Sequence, residues 1–277
     1  MARLAYLGPP GTFSEEAALR YRPDAELVAC ANEAAVAATV EAGGADEGVV
    51  AIENSIEGPV TRTVDVLVHD SPLVIRAEVV LPIEHCLIAR PGTKQSDVSV
   101  VRAHPQALSQ CRQYLERCFP NARQEAALSN AAAVQEVLSV PGAAAIASAH
   151  AAELYGGEVL ARGIQDNEHN KTRFVVLGPT DGAPTGRDKT SIAFAVQHDR
   201  PGTLVDVLHE FSDRAISLTK IESRPSREEL GIYIFLVDLE GHRSDAPVAQ
   251  ALAAVQAKAF FFRVLGSYPR SDDARDP

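Results

Sequence analysis

The sequence has no tryptophan, one methionine and few aromatic residues, which make up 5% of its 277 residues. It also has no run near the ~18 uninterrupted apolar residues that a membrane helix needs. Met1-Ala2-Arg3 leads directly into the strand-like Leu4–Leu7 and not into the apolar part of a secretory signal. We therefore expect no membrane partner and a cytoplasmic location.

Cysteine is scarce, and no pair of cysteines has CxxC spacing. Cys30, Cys86, Cys111 and Cys118 lie in ordinary apolar patterns, which is typical of free thiols in a reducing compartment. The histidines are scattered without the paired spacing of metal ligands. We expect no disulfide framework and no metal.

Positive charge is also in short supply. The chain has 26 lysines and arginines against 37 acidic residues, a formal net charge of −11, and no basic cluster. Such a surface repels polyanions, so we expect no nucleic-acid partner. A small anion can still bind where a few basic groups share one cleft.

The 46% of hydrophobic residues can fill the cores of two or three domains, which excludes a disordered chain. Through residue 178, short apolar runs alternate with alanine-rich segments of helical period, the rhythm of an α/β domain. This pattern predicts a strand over Ile83–Ile88 and helices over Thr61–His69 and Pro105–Arg117. A Gly/Pro-rich linker over 181–188 and a second module follow.

The second module has the order βαββαβ, which is a ferredoxin-like arrangement. Its elements are predicted at Thr190–Gln197, Thr203–Arg214, Ser217–Glu222, Gly231–Leu239, Asp245–Ala257 and Phe260–Leu265. The last residues, 269–277, are polar, and we expect a flexible tail there.

Polar or small residues occupy four predicted strand-to-helix junctions. These are Gly8–Ser14, Glu53–Pro59, Ala103–Gln106 and Ala147–His150. In a parallel sheet such junctions meet at one edge, where helix N-termini favour an anion. The first and third junctions also have a purely structural interpretation: the glycines allow tight turns, Ser14 caps a helix, and Pro105 lies at a first helical position.

Two segments of the first module contain closely spaced polar and charged residues. Glu53-Asn54-Ser55 leaves the end of a buried strand, although it could be a capped polar turn. Asn167–Phe174 enters the last strand of the first module, although it could be a solvated loop. Thr172 and Arg173 alternate across the pleat, so one faces the crevice and the other the opposite face.

Taken together, these motifs resemble prephenate dehydratase. They are Gly8–Ser14 with Ala17-Ala18, Ile52–Ser55, His104–Leu108 with Gln110-Cys111, and Asn170–Phe174. The second module is similar to an ACT domain through Arg200–Leu204 and Leu218–Pro225. Ala103, Asn130 and Ser217 depart from the family pattern.

The resemblance implies a fold and a domain plan. The catalytic domain, 1–180, is expected to be a two-lobed α/β domain of the periplasmic-binding-protein type II kind. Its first lobe is about 1–77 plus 165–180, and its second is about 78–164. The ferredoxin-like ACT domain follows over 189–268, and the absence of a chorismate mutase helix bundle before Leu4 predicts a monofunctional enzyme.

The implied reaction is the decarboxylating dehydration of prephenate to phenylpyruvate, a hydro-lyase step without a cofactor. The resemblance assigns Thr172 to the leaving hydroxyl, with Asn54, Ser55 and Gln110 as hydrogen-bonding partners. Arg173 is the candidate carboxylate clamp, and Glu53 either orients its neighbours or is a buried acid. The expected substrate-binding residues are Gly11, Thr12, Phe13, Ser14, His104 and Phe174.

The ACT domain implies feedback by L-phenylalanine and a homodimer or homotetramer. The expected effector residues are Gly202, Thr203, Leu204, Glu222, Ser223, Arg224 and Pro225. Two alternatives stay open. One is arogenate dehydratase, and the other is a non-catalytic amino-acid sensor, since fold alone does not determine function.

Overall fold

A computed structural model describes residues 1–196, 201–227 and 232–271. Its strands are β1 Arg3–Leu7, β2 Glu26–Cys30, β3 Glu47–Asn54, β4 Gly58–Pro59, β5 Val74–Pro82, β6 Cys86–Ala89, β7 Val100–Ala103, β8 Arg123–Ala126, β9 Ala143–Ala147, β10 Glu158–Ala161, β11 Lys171–Gly178, β12 Asp188–Ala195, β13 Leu218–Pro225, β14 Tyr233–Glu240 and β15 Phe261–Pro269. Its α-helices are α1 Phe13–Tyr21, α2 Glu33–Glu41, α3 Thr61–Asp65, α4 Pro105–Gln110, α5 Arg112–Cys118, α6 Asn130–Val137, α7 Ala149–Tyr155, α8 Thr203–Ser212 and α9 Ala246–Lys258.

The chain forms two compact units, Met1–Thr61 with Val79–Phe174, and Arg62–Glu78 with Val175–Pro277. The boundaries between the units fall within α3, β5 and β11. The lobe and domain limits expected from the sequence stay a prediction.

The first sheet has the order β2-β1-β3-β11-β5, and β4 pairs with the end of β3. β1 runs parallel to both β2 and β3. Tyr6, Val50 and Phe174 are among its buried residues. The parallel pairing places the ends of β1 and β3 on the same edge, and α1 begins just beyond β1.

The second sheet has the order β10-β6-β9-β7-β8 and carries helices on both faces. Every residue of β9 is buried. Ala144 and Ile146 pack with α4 and α5, whereas Ala143, Ala145 and Ala147 pack with α6 and α7. Two covered faces explain why this strand is apolar throughout and does not alternate.

The third sheet has the order β13-β14-β12-β15, and its described pairs are antiparallel. With α8 and α9 its chain order is βαββαβ, as the sequence predicted. Phe194, Phe211 and Val237 belong to the core between this sheet and its helices. Gln197, Gly231 and tail residues 272–277, which the sequence assigned to elements or to the tail, lie outside the described residues.

Several predicted elements differ in extent from the observed ones, and the strands predicted to end at Glu222 and Leu265 continue to Pro225 and Pro269. The helix predicted over Pro105–Arg117 is interrupted at Cys111. The helix predicted over Thr61–His69 changes at Val66 into a π-helical turn that ends at Asp70. The strand predicted from Ile83 begins only at Cys86.

Candidate active site

A cavity of about 600 Å³ opens between elements of the first and second sheets. Residues of the Leu7–Ser14 loop, β3 and β11 line it on one side. The N-terminal ends of α4, α6 and α7 line it on the other. Its volume is typical of sites for small molecules. Its lining residues, all within the described range 1–196, include neither lysine nor arginine.

Thr172 and Asn54 lie side by side in this cavity, each only 9% exposed. Asn54 Nδ2 donates to Thr172 Oγ1 at 2.9 Å. Asn54 Oδ1 accepts from the backbone amides of Ile56 and Glu57, both at 3.0 Å. The turn interpretation of Asn54 is therefore correct, and the same turn orients its amide toward Thr172.

Gln110 joins this pair through Asn170. Asn54 Nδ2 also donates to Asn170 Oδ1 at 2.8 Å, and Asn170 Nδ2 donates to Gln110 Oε1 at 3.0 Å. Gln110 Nε2 in turn donates to Glu57 Oε1 at 3.2 Å. Asn54, Thr172 and Gln110, which the sequence predicted as partners, are thus parts of one hydrogen-bonded network.

Three other predicted residues do not line the cavity. Ser55 is exposed and binds backbone, since its Oγ accepts from Lys171 N at 2.9 Å and donates to His169 O. Arg173 NH1 lies 3.7 Å from Glu53 Oε2. Because Thr172 and Phe174 face the cavity, the period of the strand turns Arg173 away from it. The predicted clamp and the predicted acid stay predictions.

The loop between β1 and α1 supplies the predicted binding residues Gly11, Thr12, Phe13 and Ser14, all of which line the cavity. The N-cap of α1 is Thr12, whose side chain accepts from Glu15 N, and not Ser14. Ser14 was the wrong choice of cap because the helix begins at Phe13, which places its cap two residues earlier, at Thr12.

His104 and Phe174 also line the cavity. Pro105 lies at the first helical position of α4, as the structural interpretation expected, and His104 caps this helix instead of serving only the preceding turn. Cys111 does not reach the cavity, because it is fully buried in the core of the second sheet. Burial, aided by the negative charge of Asp166, raises the pKa of its thiol to about 12, which leaves it unreactive.

The sequence did not point to His85, which lines the cavity, or to Glu15, which holds the loop between β1 and α1. His85 lines the cavity and its Nε2 lies 3.0 Å from Gln110 Oε1. Glu15 accepts from Gly11 N at 2.6 Å and from Tyr6 Oη at 3.0 Å, and its Oε2 lies 2.7 Å from His150 Nε2. The only signal for either residue was a polar side chain within a largely apolar segment.

The predicted effector residues lie on α8 and β13. Gly202, with a φ of +94°, precedes Thr203 and Leu204 in the first turn of α8. Glu222 Oε2 lies 3.2 Å from Lys220 Nζ, and Ser223 and Pro225 are exposed. Arg224 is buried and hydrogen-bonded to Asp65. Arg200, from the same motif, lies outside the described residues.

Across the described ranges, no group of three or more His, Cys, Asp or Glu side chains could hold a metal ion. The four cysteines are free thiols. Within the same ranges, no helix has the length and apolarity that a membrane crossing requires.

Comparisons with known proteins agree with the motifs. Residues 4–181 match the family model described as prephenate dehydratase, and residues 190–257 match the ACT domain model. A prephenate dehydratase of Mycobacteroides abscessus is 41% identical over 286 residues, which cover 99% of this chain and 92% of the relative.

Two solved structures share the fold over nearly the whole chain. Prephenate dehydratase from Arthrobacter aurescens in complex with L-Phe has a TM-score of 0.89 and 38% identity, covering 98% of this chain and 90% of that one. A protein described as a quorum quenching acylase has the same TM-score at 30% identity, covering 99% and 100%. On the strength of the family match and the identity across its length, this chain belongs to the prephenate dehydratase family and carries an ACT domain.

Proposed function

We propose that this chain is a prephenate dehydratase that acts in the cavity around Thr172. In the reaction, the bond from the ring to its carboxylate breaks and CO2 leaves. The electron pair enters the ring, and the C4 hydroxyl departs as hydroxide that a proton converts to water. Aromatisation supplies the driving force, so the protein has to orient the dianion and assist the leaving oxygen.

The observation that carries this proposal is the hydrogen bond between Asn54 and Thr172. Asn54 Nδ2 donates to Thr172 Oγ1 at 2.9 Å, so one lone pair of that oxygen is occupied. The hydroxyl hydrogen of Thr172 is then available to donate to the departing oxygen. Thr172 is thus a positioned donor, and Asn54 orients it.

The substrate carboxylates need partners in a cavity lined by neither lysine nor arginine. The first turns of α1 and α6 reach the cavity through Phe13, Ser14 and Asn130. Helix N-termini present backbone N–H groups and a positive dipole end to an anion. We assign carboxylate binding to these two turns, with His104 beside them. Arg173 can act as the predicted clamp only by exchanging Glu53 for the substrate.

The test is incubation of the purified protein with prephenate and, separately, with arogenate. We expect phenylpyruvate from prephenate, and a lower kcat/KM for arogenate. Phenylalanine formed from arogenate at the higher kcat/KM would favour the arogenate dehydratase alternative. No product from either substrate, together with binding of an amino acid, would favour the sensor.

The variant Thr172→Ala is expected to stay folded and to lower kcat by about 10²-fold, the range for a positioned proton-transfer group. Thr172→Ser, which keeps the hydroxyl, is the matched control and should retain most of the activity. A Thr172→Ala protein with the wild-type kcat would remove Thr172 from the mechanism.

We also propose that L-phenylalanine regulates this activity through the ACT domain. The relative from Arthrobacter aurescens was solved with L-Phe bound, which supports this effector. Val205, Ile221 and Tyr233 are exposed apolar residues of this domain, which supports assembly into a homodimer or homotetramer. Four free thiols support a reducing, cytoplasmic location.

A further inference from the structure

The amide side chains around Thr172 form a network whose direction is set by groups that cannot reverse. Backbone amides only donate, and Asn54 Oδ1 lies 3.0 Å from those of Ile56 and Glu57. Asn54 must therefore present its nitrogen to Thr172 Oγ1 and Asn170 Oδ1. This assignment follows from the partners and does not depend on distinguishing oxygen from nitrogen in the side chain.

The same direction continues into Gln110. With its oxygen toward Asn54, Asn170 presents its nitrogen to Gln110 Oε1 at 3.0 Å. On its other side Gln110 Nε2 donates to the carboxylate oxygen Oε1 of Glu57 at 3.2 Å. Two independent neighbours thus give Gln110 the same orientation.

His85 meets the oxygen of that amide. Its Nε2 lies 3.0 Å from Gln110 Oε1, which can only accept, so Nε2 carries the hydrogen. The ring is 2% exposed and lies edge-on to Phe13 at 5.7 Å. Burial lowers the pKa of His85, which keeps the ring neutral and leaves Nδ1 bare. Among the described residues, Nδ1 has no hydrogen-bond partner, so no acceptor there favours a hydrogen on Nδ1.

Gln110 is left with one amide hydrogen to spare. Glu57 takes one of the two hydrogens on Nε2, and no described residue takes the other. Gln110 lines the cavity, where a donor attracts an anionic oxygen and an exposed amide oxygen would repel it. The orientation of this amide therefore matters for binding a dianion.

We propose that His85, as the Nε2–H tautomer, is a positioning residue that holds Gln110 Oε1 and thereby presents a Gln110 N–H to an anionic oxygen of the substrate. The tautomer follows from the network alone. The effect on catalysis rests on the proposed function.

The tautomer can be tested without activity, by 15N NMR of the full-length protein at neutral pH. We expect Nε2 of His85 to resonate as a protonated nitrogen and Nδ1 as an unprotonated one. The His85→Gln variant, which lacks these signals, provides the assignment. A proton on Nδ1 would overturn the proposal even if the protein dehydrates prephenate.

The effect on turnover is tested with two replacements. His85→Leu removes the donor to Gln110 Oε1, and we expect kcat/KM for prephenate to fall about tenfold, because the Gln110 amide is then held by Asn170 and Glu57 alone. His85→Gln can place an amide N–H near the position of Nε2 and should recover most of that loss. An equal loss in both variants, or wild-type kcat/KM in His85→Leu, would contradict the positioning role.

A double-mutant cycle shows whether His85 acts through Gln110. In the Gln110→Leu background, His85→Leu should cause no further loss of kcat/KM. A full additional tenfold loss in that background would mean that His85 acts by another route. Circular dichroism and the melting temperature of each variant separate these outcomes from unfolding.

Discussion

Thr172, Arg173 and Phe174 are consecutive in β11, yet only the first and third face the cavity. Successive side chains of a strand point to opposite faces, so one strand can place a hydroxyl in the site and a guanidinium behind it. The guanidinium of Arg173 lies 3.7 Å from the carboxylate of Glu53, with its side chain 12% exposed. The Arg173–Glu53 pair must separate before Arg173 can bind a carboxylate of the substrate.

Separate replacement of Arg173 and of Glu53 tests whether this pair separates when the substrate binds. If Arg173 leaves Glu53 to bind a carboxylate, Arg173→Lys should raise KM about tenfold with little change in kcat, because lysine lacks the bidentate fork. Glu53→Gln should not raise KM, since it removes a carboxylate that competes with the substrate for Arg173. Steady-state kinetics on both variants, with circular dichroism, make the test. A wild-type KM in Arg173→Lys and in Arg173→Ala would exclude the clamp.

At the scale of elements, the loop from β1 to α1 depends on Gly11. Its φ is +85°, and its N–H donates to Glu15 Oε2 at 2.6 Å. A Cβ added there would lie 2.9 Å from Tyr155 Cε2 and 3.3 Å from Ala151 Cβ, both in α7. Glycine is therefore required both by the backbone and by the close approach of a helix.

Gly43 provides a matched control for this position. Its φ is +71°, and an added Cβ would meet nothing within 4 Å. Gly43→Ala should cost about 1 kcal/mol of stability from the left-handed backbone alone. Gly11→Ala should cost more and should also lower kcat/KM, because Thr12, Phe13 and Ser14 line the cavity. Equal melting temperatures and equal kcat/KM in the two variants would contradict this packing argument.

The break between α4 and α5 shows how a distant residue shapes an element. The backbone amide of Asp166 donates to Gln110 O at 2.7 Å, and its carboxylate accepts from Gln113 N. The loop thus satisfies the end of one helix and the start of the next. A break at Cys111 leaves Gln110 at the last residue of α4, where it lines the cavity.

At the scale of the whole molecule, regulation requires that phenylalanine bind a less active conformation more tightly. A tenfold preference corresponds to about 1.4 kcal/mol of coupling. Within the unit that holds the ACT domain, Asp65 binds Arg224 of the predicted effector segment and also Arg227. Lys189 is buried against Glu78 at 2.8 Å. These ion pairs attach residues 62–78 to the ACT sheet. Strand β5 begins in this segment, at Val74, and continues beyond it to Pro82.

Calorimetry on the full chain tests the predicted effector site. Phenylalanine should bind and should lower turnover of prephenate. Glu222→Gln should weaken binding about tenfold if Glu222 accepts from the ammonium group of the ligand. Glu210→Gln, which alters a paired glutamate on α8, is the control and should bind like the wild type. No binding by the full chain would defeat the assignment.

The sequence by itself determined the α/β rhythm, the order βαββαβ of the ACT domain and the motif residues Asn54, Gln110 and Thr172. Local signals suffice there because apolar periodicity and turn residues act over a few positions. Edge strands β2, β8 and β10 were missed because they are partly exposed and carry polar residues, so only pairing with a neighbour defines them.

The tertiary structure alone decided which polar residues meet. Asn54 lies 116 positions from Asn170, and Gln110 lies 25 from His85. These side chains come into contact only in the folded protein. There the backbone amides of Ile56 and Glu57 orient the Asn54 amide, which in turn orients Asn170 and then Gln110. The sequence likewise did not determine whether Thr172 or Arg173 faces the cavity. A strand has two faces, and only the packing of the sheet determines which face borders the cavity.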